Sequence, residues 1–308
     1  MKVIECENLT KSFGSFKALD GLSFEIEENK ITGLIGRNGA GKTTLLKLIA
    51  GYLRPTDGEL KVFSQHPFNN LSVAGNMIFV DENMAFPESF TLEDIMAEVA
   101  PFYPNWDSRL AEGLFDYSNL NPQIRHSRLS KGSKSLFNCI IGIASHCPLT
   151  LFDEPTTGMD SAVRKDFYRA LLKDYLEYPR TVLLSSHLLN EVEDILEDVL
   201  LLKQGRKCLH LPIDELKEWA MGLRGNAQVI RELLKGEEII HQEEFAKDNV
   251  YAVIKRNINS PIVRDLIQEG SGKAKQSGVE LMPVSIDNLF IYLTEKSKGG
   301  IDDVFKRS

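Results

Sequence analysis

ITGLIGRNGAGKTTLLKLIAGYL, residues 31–53, is the stretch whose reading decides the fold. Its first five residues, ITGLI, form a short apolar and β-branched run that ends at Gly36, the pattern of a buried strand. Apolar residues then recur at helical spacing through Leu45, Leu46, Leu48, Ile49 and Leu53. Between the two lies GRNGAGKTT, residues 36–44, which matches G-x-x-x-x-G-K-[ST]. A strand, a glycine loop and a helix are the context in which that pattern reads as a phosphate cradle. Gly36, Gly39 and Gly41 let the backbone pass close beneath phosphates, Lys42 reaches the β- and γ-oxygens, and Thr43 offers its hydroxyl to Mg²⁺. The loop lacks G-x-G-x-x-G spacing, which excludes a dinucleotide-binding fold.

Chemistry on a triphosphate also needs carboxylates, one for the metal and one for the attacking water. LTLFDEPTTGMD, residues 149–160, supplies both: an apolar strand run ends in adjacent acids, which a buried strand rarely tolerates without purpose. Asp153 is placed to hold Mg²⁺ and Glu154 to polarise water. TVLLSSH, residues 181–187, is a second such run and ends at His187, a candidate γ-phosphate contact. His66, His126 and His241 form no ligand cluster and read as surface or core residues. A second turn suited to phosphate, RLSKGSKS at residues 128–135, opens an apolar helix, and helix N-termini favour anions.

The chain has 308 residues, of which 43% are hydrophobic and 26% charged, as in soluble globular proteins with one large core or two domains. A formal net charge of −8 argues against non-specific binding to nucleic acid, which needs a basic face. Cys6, Cys139, Cys147 and Cys208 are far apart and contain no C-x-x-C pair, so they read as buried, reduced thiols of a cytosolic protein. MKVIECENLT at the amino terminus lacks the apolar stretch of a signal peptide. No apolar run approaches the roughly 20 residues that span a bilayer, so any membrane role needs another chain to do the spanning.

GRNGAGKTT, LSKGS, LFDEPTTGMD and SSH, in this order and at this spacing, resemble the ATP-binding subunit of an ABC (ATP-binding cassette) transporter, over roughly residues 2–210. The resemblance implies an α/β fold: a P-loop NTPase, RecA-like core with an antiparallel β subdomain, a helical subdomain inserted at about residues 83–148, and a small C-terminal α+β extension. Its domain boundaries are residues 1–212 for the cassette and 213–308 for the accessory region. It implies ATP and Mg²⁺ as cofactors. Gly36, Asn38, Gly39, Gly41, Lys42, Thr43 and Thr44 fall on the nucleotide loop, and Phe13, in TKSFGSFKALDGLSF, on the aromatic that stacks on adenine. Asp153 and Thr43 fall on the metal ligands, and Glu154, His187 and Lys42 on the catalytic groups. Ser130 and Gly132 match the signature loop and Asp160 the D-loop acid; in the family these face the nucleotide of a second cassette, so that two ATP molecules are sandwiched in a head-to-tail dimer.

Two departures stand out. The signature is commonly LSGGQ, and here LSKGS keeps Ser130 and Gly132 but carries Lys131 and Ser133. Where a glutamine usually follows the third strand, MIFVDEN places Glu82, with Asp81 a one-residue register alternative. A carboxylate there can still ligate Mg²⁺ or water, but adds negative charge beside phosphates. Between these motifs, helix-forming stretches are broken at Pro101 and Pro104, where Phe102, Tyr103 and Trp106 either close the insert's own core or present a docking site for a membrane subunit. In the tail, DELKEWAMGLRG reads as a helix closing on Gly222 and Gly225, VYAVIKR as a strand, VSIDNLFIYLTEK as an amphipathic helix, and KSKGGIDDVFKRS as a mobile end. The tail is similar to that of drug, peptide or bacitracin-type exporter ATPases.

The reading is an ATPase on the inner face of the cell membrane, driving a separate permease, with export favoured over import by analogy. The second cassette is either another copy or a different chain. A ribosome-acting soluble ABC protein normally carries two cassettes, a chromosome-maintenance ATPase carries long heptad coils, and an inactive binding module lacks Lys42, Asp153 or Glu154; none of these patterns is present.

Overall fold

The computed structural model describes residues 1–246, 248–256 and 278–294. It divides into two compact units, Met1–His210 and Leu211–Ser308. In the first, β1 (Lys2–Phe13) and β2 (Phe16–Glu27) form an antiparallel hairpin that turns through Gly14, at φ 60°, and closes Phe13 against Phe16. β3 (Ile31–Ile35) starts a second sheet, while β4 (Asp57–Val62) returns to pair antiparallel with β1, completing a three-stranded sheet β2-β1-β4.

The second sheet has the order β5-β6-β7-β3-β8-β9, with β5 (Met77–Val80), β6 (Leu149–Asp153), β7 (Thr181–Ser186), β8 (Asp198–Lys203) and β9 (Arg206–Pro212). Its ladders from β5 through β8 are parallel. Every residue of β3, β5, β6 and β7 is buried, as expected of parallel strands covered on both faces. The ladders match Ile35 with Ser186 and Asp153 with Ser185. The loops that leave β3, β6 and β7 therefore emerge side by side at the carboxyl edge, where open α/β sheets bind ligands.

Helices complete this unit. α1 (Lys42–Ile49) follows the glycine loop and buries Leu45, Leu46, Leu48 and Ile49, and α2 (Leu71–Ala74) is a single turn. Between β5 and β6 run α3 (Leu92–Val99), α4 (Ser108–Tyr117) and α5 (Lys131–Ala144). A capping box between Thr91 and Asp94 starts α3, and a 3₁₀ turn at Ala100–Phe102 follows it, as the prolines dictate. Here the aromatic trio separates: Tyr103 and Trp106 stack, half-buried, with ring centroids 6.4 Å apart, while Phe102 is 76% exposed. α6 (Ser161–Glu177) links β6 to β7.

The second unit contains α7 (Ile213–Lys217), β10 (Ala220–Asn226), α8 (Ala227–Leu233), β11 (Ile239–Ala246), β12 (Asn249–Lys255), β13 (Glu280–Pro283) and α9 (Ile286–Thr294). Its antiparallel sheet, in the order β11-β12-β10-β13, closes on a core of its own that includes Leu223, Ile230, Leu234, Val250, Ala252 and Ile254. One expectation is corrected here. DELKEWAMGLRG is not one helix: the helix stops at Lys217, and Ala220–Asn226 is the strand β10, paired residue by residue with β12. Gly222 and Gly225 serve this pairing rather than capping a helix, since a Cβ on Gly222 would lie 2.8 Å from the Tyr251 ring and one on Gly225 2.8 Å from the Gly278 carbonyl. The segment VYAVIKR does lie in β12 and NLFIYL in α9, whereas KSKGGIDDVFKRS lies outside the described residues. Cys6, Cys139 and Cys147 are buried, but Cys208 is exposed on β9. Among the described residues, no helix is long and apolar enough to cross a membrane.

Candidate active site

Glycine geometry shapes the phosphate loop. Gly39 and Gly41 adopt φ 80° and 105°, and a Cβ on Gly41 would press within 2.7 Å of the Ala18 carbonyl. The chain can therefore turn sharply into α1, whose N-terminus has no side-chain cap on its first N–H groups, the groups that bind anions at a helix start. Lys42 folds back over this loop. Its side chain is 6% exposed, and its Nζ donates to the Gly36 carbonyl at 2.6 Å and pairs with Glu154 Oε1 at 3.1 Å.

Glu154 follows the last residue of β6 in the left-handed region, at φ 48°, which is uncommon for a residue with a side chain. Its N–H donates to Ser185 Oγ at 2.9 Å, and that hydroxyl donates to Asp153 Oδ1 at 2.7 Å. One β7 serine thus fixes both acids. The second oxygen of Glu154 lies 2.7 Å from His187 Nδ1, so a continuous chain runs Lys42–Glu154–His187. Asp153 is buried and also accepts from the Thr43 hydroxyl. Burial raises its carboxyl pKa above the ordinary value, the Glu154 charge adds to the rise, and the Ser185 and Thr43 hydroxyls oppose it.

These groups border a cavity of about 550 Å³ lined by Asn38, Gly39, Gly41, Lys42, Thr43, Thr44, Glu82, Asp153, Glu154 and His187, all expected from the sequence. Gly36 is not on the lining; it anchors the loop from beneath, its N–H donating to the Ser186 carbonyl. Phe13 is not on the lining either: Phe16, its partner across the hairpin, lines the cavity, while the Phe13 ring lies 5.1 Å from the Lys11 ammonium. Asp81, the register alternative to Glu82, lines the cavity too, as do Ala18, Asn83, Lys131 and Thr157, which the motifs do not single out as site residues.

Ser130, Gly132 and Asp160 lie off this cavity. Ser130 caps α5, accepting from the Ser133 N–H at 3.2 Å and donating to its hydroxyl at 2.9 Å. Gly132 packs so tightly on the loop after β6 that a Cβ would lie 2.2 Å from the Gly158 carbonyl. Asp160 caps α6 through the N–H groups of Ala162 and Val163. Glu82 lines the cavity, but its carboxylate is already paired with Lys131 at 2.7 Å.

The donors around Asp153 suit a hard divalent cation. Two carboxylates and a threonine hydroxyl converge there, and Glu154 Oε1 is buried with the Lys42 ammonium as its partner and no hydrogen bond. A buried carboxylate whose pKa is raised by desolvation is a group that a metal ion would relieve.

Comparison with known proteins agrees with this geometry. The profile of the ABC transporter family matches residues 19–157. The chain is 30% identical over 220 residues to the bacitracin transport ATP-binding protein BcrA of Enterococcus faecalis, covering 70% of each. It is 25% identical to BcrA of Bacillus licheniformis over 97% of this chain and 98% of that protein. A dimeric ATP-binding cassette solved in a post-hydrolysis state with ADP and Pi superposes with a TM-score of 0.59 at 22% identity, covering 68% of this chain and 98% of that one, and so shares the fold. The chain belongs to the ABC transporter family, as one of its ATP-binding cassettes.

Proposed function

We propose that this chain is the Mg·ATP-hydrolysing subunit of a membrane exporter, working at the inner face of the membrane as a dimer of cassettes bound to a separate permease. The observation that carries the reading is the chain Lys42–Glu154–His187 at the mouth of the phosphate loop, with Asp153 and Thr43 joined beside it. Lys42 and the loop N–H groups take the phosphates, and Phe16 takes the adenine. Thr43 and Asp153 hold Mg²⁺, while Asp81 and Glu82, the latter paired with Lys131, line the cavity wall. When bound, the metal offsets charge on the β- and γ-oxygens.

Glu154 then leaves Lys42 to the phosphates and orients the attacking water, and His187 holds Glu154 and the γ-phosphate in line. No covalent intermediate with the protein is needed, because positioning and charge stabilisation suffice for phosphoryl transfer. Ser130, Gly132 and Asp160, which lie off their own chain's cavity, face the nucleotide of the second cassette. The relatives named for bacitracin transport, one matched over nearly the whole chain including the second unit, support export of a drug or peptide.

The test is Glu154→Gln. Turnover should fall at least about 10²-fold, the scale of a lost general base, while Mg·ATP binding persists. Tagged Glu154→Gln protein held with Mg·ATP should then co-purify a multi-span membrane protein from solubilised membranes of its host. Near wild-type turnover removes Glu154 from its role, and recovery of ribosomes in place of a membrane protein removes the exporter.

A further inference from the structure

The two positions at which the motifs depart from their usual residues touch each other. Glu82, where a glutamine is usual, and Lys131, where the signature usually has glycine, form an ion pair at 2.7 Å, and both line the cavity. Each side chain is more than half exposed, so the pair adds little to stability by itself. Its importance lies in its place. The cavity wall carries the ammonium groups of Lys42 and Lys131 against the carboxylates of Asp81, Glu82, Asp153 and Glu154, an acidic balance for a site that must accept a polyanion.

Lys131 is also anchored at its stem. Its Cγ and Cβ lie 3.1 and 3.3 Å from where a Cβ of Gly158 would stand, so the aliphatic part lies along the loop after β6 while the ammonium reaches the loop after β5. The same helix holds both loops elsewhere: Ser135 Oγ donates to the Thr157 carbonyl at 2.9 Å, and Asn138 Nδ2 to the Asp81 carbonyl at 3.2 Å.

We propose that Lys131 is a positioning residue for nucleotide binding, acting within its own chain: its ammonium neutralises Glu82 so that an acid is tolerated beside the phosphates, and it ties the signature helix to the wall of the nucleotide cavity. The inference rests on reading that cavity as the Mg·ATP site. Compensation follows from charge alone. Removing Lys131 leaves the wall one charge more negative, removing the Glu82 charge leaves it one less, and removing both restores the original balance. A residue that only packs would show no such cancellation.

The experiment measures the Kd of the full chain for Mg²⁺ and fluorescent N-methylanthraniloyl-ATP in wild type, Lys131→Ala, Glu82→Gln, the double variant and Lys131→Arg, at low salt and at about 0.5 M salt. Lys131→Ala should weaken binding about fivefold at low salt, in line with one partly screened charge a few ångströms away. Glu82→Gln should bind at least as tightly as wild type, the double variant should return to within about twofold of it, and Lys131→Arg should match it. These differences should shrink in high salt. Wild-type affinity in Lys131→Ala, or a double variant as weak as Lys131→Ala, overturns the proposal while leaving the nucleotide site intact. Failure of the wild type itself to bind overturns the site and the proposal together.

Discussion

Glu154 shows at the scale of one residue how this site stores its readiness. Its left-handed backbone, at φ 48°, is held by the bond from its N–H to Ser185 and turns the carboxylate back over Lys42 and His187. Its neighbour Asp153 bears a different burden, desolvation. Because its pKa is raised in the fold above the ordinary 3.8, the folded chain keeps a proton that the unfolded chain releases, so this group's contribution to stability falls as pH rises from 3.8 through the raised folded value. At neutral pH the ionised carboxylate is a net cost to the empty protein. Asp153→Asn should therefore raise the Tm of the nucleotide-free chain, yet lose the further rise that Mg·ATP gives the wild type. An unchanged or lower Tm without nucleotide would show that the Ser185 and Thr43 hydrogen bonds outweigh desolvation. The aromatic platform is a second case. Phe16→Ala should weaken ATP binding about fivefold or more, the scale of a lost base-stacking ring, and Phe13→Ala should leave it within twofold. The reverse ranking in a titration would assign the adenine to Phe13, as the sequence resemblance implies.

Among the elements, α5 joins the site's loops, and a histidine fixes how it does so. His126 is 8% exposed, meets Phe86 edge-on and Phe137 at a tilt, and its Nε2 lies 3.0 Å from Asn138 Oδ1, on the residue whose amide donates to the Asp81 carbonyl. Burial lowers its pKa below the ordinary 6.5, with the Asn138 bond opposing. As pH falls below 6.5, the unfolded chain takes up a proton that the folded chain resists, so stability drops until the lowered folded pKa is passed. His126→Gln should flatten the acid side of the Tm-against-pH curve between neutral pH and about pH 5, whatever its effect at pH 7; an unaltered slope would mean that other groups set it. The bond through Asn138 joins residues 57 positions apart, and no sequence pattern announces it. By contrast β3, the glycine loop and α1 were legible because strand, loop and helix are contiguous and each is dictated by its own residues, buried ITGLI and then Leu45 to Ile49. β10 was not. Ala220, Met221 and Leu223 have helix-favouring side chains, and the strand exists because β12 and β13, distant in sequence, supply ladders on both sides. The proposed catalytic residues were legible for the same local reason as β3, since each directly follows a strand or opens a helix, whereas Lys131 reached the cavity only through a tertiary contact with Glu82.

For the whole molecule, the decisive fact is that all of the proposed ligand-binding groups belong to one compact unit, Met1–His210, while Leu211–Ser308 has a sheet and core of its own. Binding that requires a folded site stabilises the unit that forms the site, by RT ln(1 + [L]/Kd), or about 2.7 kcal/mol when ligand is present at a hundred times Kd. The sequence provides a reporter for each unit, because the chain has two tryptophans, Trp106 in the first and Trp219 in the second. Trp106 stacks with Tyr103 beside α3, and the Trp219 ring centroid lies 5.1 Å from the ammonium of Lys255, at the end of β12. Single-tryptophan variants, Trp219→Phe and Trp106→Phe, therefore follow the units separately by fluorescence during thermal unfolding. Saturating Mg·ATP should raise the transition seen by Trp106 by about 5 °C or more and leave that seen by Trp219 within about 1 °C, since a gain of this size in a unit of some 200 residues converts to several degrees. Equal shifts at both tryptophans would mean that the chain unfolds as one cooperative body, and the second unit would then share in the free energy of nucleotide binding.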